Sequence, residues 1–225
     1  LMASTFKSLL CGAVLDSVDR GDFALDTQID VRADDILHHS PVTHKHVGQS
    51  LSVADLCLAT LDQSDNAASN LLIDQLGGTD RVTAYLRSIG DPVTRLDRKE
   101  PELNIFAPGD PRDTTSPEAV LVSWEAMLLG DGLSPGARRQ LADWMSLGGV
   151  TQAFIRASAP ADWAVVDKSG GGRQHTRNLV AMVTPPGRAS YLVAIFVSDT
   201  KADWAARNAA VAAIGTAVVE VINSR

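Results

Sequence analysis

Apolar residues recur at helical spacing almost from the first residue. Phe6, Leu9, Leu10, Ala13 and Val14 share a face over residues 5–20, and Gly21 follows as a C-terminal stop. Residues 22–51 lose this periodicity, contain Pro41 and Gly48, and read as irregular structure with short helical or strand pieces. Ser52 then caps a helix that carries Val53, Leu56, Leu58 and Ala59 toward Gln63. Helical character returns over residues 67–76, stops at Gly77-Gly78, and resumes over 79–89 through Val82, Tyr85, Leu86 and Ile89. Residues 94–116 are rich in Pro, Asp and Arg without apolar period, and a loop of that length is more often functional than incidental. Ser116-Pro117 and Ser134-Pro135 each open a further helix, and a short one is expected over residues 151–156.

After Pro160 the texture changes. Apolar, β-branched runs at residues 163–166, 179–183 and 191–197, joined by Gly- and Pro-containing turns, predict consecutive antiparallel strands. Over residues 202–222 the alanines and valines return to helical spacing, giving a long helix able to cover one face of that sheet. The expected class is α+β, with an all-helical part over residues 1–148 and an α/β part over 149–225 whose antiparallel sheet is flanked by helices. No internal repeat or low-complexity segment interrupts the pattern.

Composition narrows the options. The 225 residues are 45% hydrophobic, enough for a substantial core. A net charge of -7 argues against a nucleic-acid partner, because affinity for phosphate backbones comes from clustered Lys and Arg. No apolar run approaches the roughly 20 residues that span a bilayer, and no basic, apolar leader opens the chain, so no membrane partner is expected.

Three short motifs carry candidate chemistry. In Ser4-Thr5-Phe6-Lys7 an ammonium lies one helical turn beyond a hydroxyl, where it can activate the serine as a nucleophile. Alone the pattern is weak, since a chain of this length holds about one S-x-x-K by chance. Ser64-Asp65-Asn66 lies between two helices, where those residue types also serve as ordinary caps. Lys168-Ser169-Gly170-Gly171-Gly172 ends the first strand, and its glycines allow another molecule to lie against the strand edge, though a glycine-rich turn would look the same. Each motif ends a structural element, where side chains can converge.

The long loop makes the set specific. It contains Arg95-Leu96-Asp97-Arg98-Lys99-Glu100-Pro101-Glu102-Leu103-Asn104, then Asp110 and Asp113-Thr114-Thr115. This run resembles the omega loop of class A serine β-lactamases, and the S-x-x-K, S-D-N and K-T-G set with its glutamate is that family's signature. The likeness runs from Ser4 to about Asn208. It implies a helical domain joined to an α/β domain, no cofactor or metal, a monomer, and small-molecule β-lactam substrates and inhibitors. It also implies a periplasmic or secreted location. By the same resemblance Ser4 is the nucleophile, Lys7 and Glu100 its proton-transfer partners, and Ser64 with Lys168 the donor to the leaving nitrogen. Glu100 with Asn104 would position the hydrolytic water. Asn66, Ser169, Gly170, Gly171, Arg177 and His39 would contact substrate, the backbone N–H groups of Ser4 and Gly171 forming the oxyanion hole. His39 stands where the family presents an aromatic gatekeeper, Gly171 where many members carry Ala, Ser or Thr, and Arg98 with Asp113 would close the neck of the loop.

Other features are weighed against this reading. His38, His39, His44 and His46 cluster, and a zinc hydrolase could also open lactams, but no metal-ligand spacing accompanies them. His175 is expected in the turn after the third motif. Cys11 lies seven residues after Ser4 and Cys57 seven before Ser64. If the two serines share a site and their helices run antiparallel, both cysteines lie about 10 Å from it, side by side, as a disulfide found in some family members would require. The family's N-terminal helix and first strands have no counterpart ahead of Ser4. A penicillin-binding transpeptidase or carboxypeptidase, or a non-catalytic lactam sensor, shares part of the motif set; the loop glutamate separates the β-lactamase from them.

Overall fold

A computed structural model describes residues 1–105, 107–172 and 175–225. Eight helices and five strands are formed among them. The helix α1 (Phe6–Asp19) runs through the centre of a cluster made by α2 (Val53–Asp62), α3 (Asn66–Leu76), α4 (Thr79–Ser88), α5 (Pro117–Leu128) and α6 (Pro135–Ser146). It is buried nearly all round, from Phe6 and Lys7 to Val14 and Leu15. That explains why its apolar pattern is broad rather than a single stripe.

Sequence-coded caps set the helix starts. Ser52, Asp65, Ser116 and Ser134 each accept a hydrogen bond from the backbone N–H three residues on, satisfying a donor the helix leaves unpaired. Gly77, at φ 92°, ends α3 in the left-handed conformation a glycine adopts without cost.

The antiparallel sheet has the order β3 (Ala164–Gly171), β4 (His175–Thr184), β5 (Tyr191–Thr200). Its register pairs Lys168 with Val180, Ser169 with Leu179 and Gly171 with Arg177. Alternation divides its faces. Val166 and Val180 join the helical core, while Val165, Leu179, Ala181, Val183 and Ile195 form a second core with Phe154, Ile155, Val211 and Val219. The latter residues come from the short α7 (Ile155–Ser158) and from α8 (Trp204–Asn223). Gly215 lets these helices touch, because a Cβ there would lie 3.2 Å from the Ile155 Cα.

Residues 22–51 carry the short pieces expected of them, among which β1 (Gln28–Asp30) pairs with β2 (Ser50–Ser52), a ladder too short to show a period. Other expectations need correction. The short helix begins at Ile155, after turns, rather than at residue 151. β3 and β4 run further than their apolar runs because their ends are polar, and His175 opens β4, its Nδ1 3.0 Å from the Thr200 carbonyl. Residues 173–174, between β3 and β4 in the chain, lie outside the described residues. One helix, Trp204–Asn223, is long and apolar enough to cross a membrane, against the sequence reading. In the fold it lies along the sheet, burying Val211, Gly215, Val219 and Ile222. The disulfide is not formed. Cys11 and Cys57 do lie together, but both are free buried thiols, with Cys11 Sγ directed to the Cys57 carbonyl at 3.9 Å.

Candidate active site

The site lies where the N-terminal turn and the starts of α1 and α3 meet the end of β3. Ser4 sits in a 3-10 turn over Ala3–Thr5, half-buried between two buried neighbours, with Ala3 at φ 45°. Thr5 Oγ1 donates to the Met2 carbonyl at 2.8 Å, and Asn178 Nδ2 donates to the carbonyls of Leu1 and Met2 at 2.9 and 3.0 Å. Ser8 Oγ ties the Thr5 carbonyl to Trp124 Nε1, anchoring the turn to α5. Gly170 is required beneath it, because a Cβ there would lie 2.7 Å from the Met2 oxygen and 3.0 Å from the Ser4 nitrogen, both backbone atoms that cannot give way.

Lys7 follows one turn on. Its Nζ donates to the Ser64 carbonyl at 2.7 Å, Asn66 Oδ1 at 2.6 Å and Ser64 Oγ at 3.3 Å, and lies 3.7 Å from Glu100 Oε1. Lys168 Nζ reaches the same Ser64 Oγ at 3.1 Å from the sheet side. One hydroxyl thus sits between two fully buried ammonium groups. Desolvation pushes both lysines down. Lys7 is lowered to about 8, with Glu100 opposing the shift, while Lys168 falls well below its usual value, pushed further by Lys7. Ser64 has φ 56°, a left-handed position fixed by its neighbour. Asp65, fully buried, accepts from Val42 N, Thr43 N, Thr43 Oγ1 and Ala68 N.

The loop places Glu100 at the other side of Lys7. Asn104 Nδ2 donates to Glu100 Oε2 at 2.6 Å. Glu100 Oε1 and Asn104 Oδ1 are buried acceptors without a hydrogen-bond partner among the described residues. The loop is closed by Asp113, which accepts from Asp97 N, Arg98 N and Arg98 Nε at 2.7, 2.9 and 2.5 Å. Asn66 and His39 border the cleft: Asn66 Nδ2 donates to the His38 carbonyl, and His39 Nε2 lies 3.0 Å from the Gln63 carbonyl. His44 and His46 are engaged elsewhere, with Ser40 and Gln49. Ser169, Gly170 and Gly171 line the end of β3, with Arg177 across from Gly171. Arg177 Nη1 donates to the Gly170 carbonyl and Nε to Asn208 Oδ1; burial and nearby Arg207 lower its guanidinium to about 10.

Ser4, Lys7, Ser64, Glu100 and Lys168 therefore converge with Asn66, Asn104, Ser169 to Gly171 and Arg177 around one seam. Sequence reasoning missed Asn70, which holds Glu100 by two backbone bonds, donating to its carbonyl at 2.8 Å and accepting from its N–H at 3.0 Å. The signal was present: Asn70 lies four residues after Asn66 on α3, hence on the same face. It also missed Asn178, Asn208 and Trp204, which reach the site only through strand pairing and helix packing.

A helical wall and a sheet edge meeting at a serine flanked by lysines is the build of the penicillin-recognising serine hydrolases. The chain belongs to the beta-lactamase enzyme family, whose model matches residues 1–222. A beta-lactamase of Rhodobacter capsulatus is 50% identical over 222 residues, covering 99% of this chain and 75% of that protein. A beta lactamase structure from Xanthomonas campestris is 47% identical with a TM-score of 0.95, covering 98% of this chain and 83% of that one. The class A beta-lactamase of the last common ancestor of Gram-negative bacteria is 50% identical with a TM-score of 0.95, covering 98% and 84%.

Proposed function

We propose that the protein hydrolyses β-lactams through an acyl-enzyme on Ser4, and so confers resistance to them. The observation that carries this reading is the Ser64 hydroxyl held by Lys7 and Lys168, with Glu100 3.7 Å from Lys7. Ser4 Oγ attacks the lactam carbonyl and its proton passes to the Lys7–Glu100 pair. A lysine lowered to about 8 exchanges protons near neutral pH. The backbone N–H groups of Ser4 and Gly171 hold the oxyanion, where a single lost donor costs about a hundredfold or more in rate. As the C–N bond breaks, the ring nitrogen takes a proton from Ser64 Oγ, which the adjacent lysines replace.

Hydrolysis of the ester needs a base, and residues 94–116 act as the omega loop that brings it. The unpartnered Glu100 Oε1 and Asn104 Oδ1 offer two acceptors to one water, whose proton goes to Glu100 as its oxygen attacks the acyl carbon. The proton then returns to Ser4 as the acid leaves. This pair favours turnover over the permanently acylated state of a penicillin-binding transpeptidase or sensor. Asn66 binds the substrate's side-chain amide, His39 borders it, and Ser169 with Arg177 binds its carboxylate. Every group invoked comes from one chain, so a monomer suffices. We place the protein in the periplasm or outside the cell, the location the family resemblance implies.

Nitrocefin turnover tests the proposal. Continuous hydrolysis supports it, a single stoichiometric burst would mark a lactam binder, and unaltered turnover in Glu100→Ala would remove Glu100 as the deacylation base.

A further inference from the structure

The end of the cleft near Arg177 contains an aromatic group that the mechanism does not use. Trp204, the first residue of α8, is 47% exposed and stands apart from the helix's buried stripe of Arg207, Val211, Gly215 and Val219. Its ring lies 4.7 Å from the Arg177 guanidinium carbon, whose other neighbour, Phe154, lies at 4.5 Å. Phe154 is buried, so the exposed aromatic surface beside Arg177 is the indole of Trp204. Arg177 spends Nε on Asn208 and Nη1 on Gly170; among the described residues Nη2 has no hydrogen-bond partner. The indole therefore flanks a cation with a donor to spare.

The same ring accounts for the glycine at 171. A Cβ there would lie 2.8 Å from Trp204 Cη2 and Cζ3 and 3.1 Å from Arg177 Cδ. Glycine and tryptophan are thus coupled: the absent methyl makes the space that the indole fills. Because Trp204 is 47% exposed, a methyl at 171 would push its ring aside toward solvent at little cost to the fold while taking it off Arg177.

We propose that Trp204 is a specificity-determining residue, an aromatic wall on which planar groups carried beside the substrate carboxylate stack. This rests on the reading of Arg177 as the carboxylate anchor. A cephem ring bears its carboxylate and its C3 substituent on adjacent carbons, so an anchored carboxylate brings the substituent beside the flanking side chain. A penicillin carries only methyl groups there. Aromatic stacking on an indole favours flat, electron-poor rings.

The test compares nitrocefin, whose C3 group is a dinitrostyryl, with cephalexin, whose C3 group is methyl, and with benzylpenicillin. In Trp204→Ala, KM for nitrocefin should rise about tenfold and KM for the other two about threefold or less, with kcat for all within about twofold, the pattern of lost substrate binding. Trp204→Phe should restore most of the nitrocefin preference. Gly171→Ala, whose kcat is not compared because residue 171 also supplies an oxyanion donor, should lower the nitrocefin preference in KM as Trp204→Ala does, yet change that preference less than about twofold when made in Trp204→Ala, the non-additivity expected of two groups sharing one space. Equal losses on all three substrates, an unchanged nitrocefin preference in Trp204→Ala, no rescue by Phe, or full additivity with Gly171→Ala would each overturn the proposal. If the unmodified protein hydrolyses benzylpenicillin and these results fail, the functional reading stands without the aromatic wall. If it hydrolyses none of the three, both fall.

Discussion

Lys7 on the helical wall and Lys168 on the sheet wall reach the same hydroxyl, at 3.3 and 3.1 Å, but in different company. Lys7 lies beside the carboxylate of Glu100, which opposes the effect of burial and leaves it at about 8. Lys168 is bonded to a hydroxyl and a carbonyl, and burial, with repulsion from Lys7 and Arg177, holds it well below its usual value. Its sequence neighbour Asp167 is engaged by Arg156 and Thr151. The carboxylate of Glu100 thus pairs with the lysine of the helical side, while among the described residues no carboxylate lies within ion-pair distance of Lys168 or Arg177 on the sheet side. A wall that holds carboxylates suits proton acceptance; one that holds bare cations suits binding of developing and permanent negative charge.

If that division holds, variants on the two walls should fail differently. The largest effect is expected for Glu100→Gln: kcat should fall about a thousandfold while acylation survives, so that mass spectrometry finds a stable adduct on Ser4. An unmodified Ser4 under excess substrate would contradict the division. Gly170→Ala should cost about a hundredfold in acylation rate, because its methyl meets the backbone of the nucleophile turn and disturbs an oxyanion donor. Arg177→Ala should instead raise KM about tenfold or more with kcat much less affected, as loss of a charged hydrogen bond predicts. Asn70→Ala, which frees the Glu100 backbone, should lower kcat several-fold and stability by about 1–2 kcal/mol, read by urea denaturation.

The smallest effect is a pH slope. Both lysines are lowered on folding, so above about pH 8 the folded chain holds fewer protons than the unfolded one, whose lysines titrate near ~10.4. Stability should therefore rise with pH across this window. Cys57 opposes it, since burial keeps its thiol protonated while the unfolded thiol ionises, but two lysines outweigh one thiol. Above about pH 10 the raised Tyr85 hydroxyl turns the slope downward. Urea midpoints from pH 7 to 9.5 should climb, and Lys168→Met should flatten the climb; a fall across this range in the unmodified protein would refute the account.

The helical side was the more legible in sequence. Caps at Ser52, Ser116 and Ser134 and stops at Gly21 and Gly77 are local signals, and local signals fix helices. That Ser4, Lys7, Ser64, Glu100 and Lys168 would be brought together was legible because a spaced signature survives without knowledge of contacts. The sheet side was less so. β3 carries its polar motif inside the strand, so its apolar alternation ends at Val166 while the strand continues to Gly171. Why residue 170 is glycine depends on the turn packed over it, and why 171 is glycine depends on Trp204, 33 residues further along. The β1–β2 ladder is three residues a side and has no period to read. The cysteine spacing correctly brought two sulfurs together, but spacing says nothing of whether they are bonded.

Asp113 joins structures that the chemistry uses at different times. Its carboxylate grips Arg98 at the foot of the Glu100 loop, and its carbonyl accepts the Met2 N–H two residues before Ser4. Ser4 and Glu100 thus have a common mechanical footing, so under the proposed mechanism a change at this aspartate cannot tune one half-reaction alone. For an engineer the molecule has one adjustable part and one fixed part here. The outer tip, with Ile105, Pro108 and Gly109 in solvent, is where length and sequence are free to vary, and the neck is where they are not.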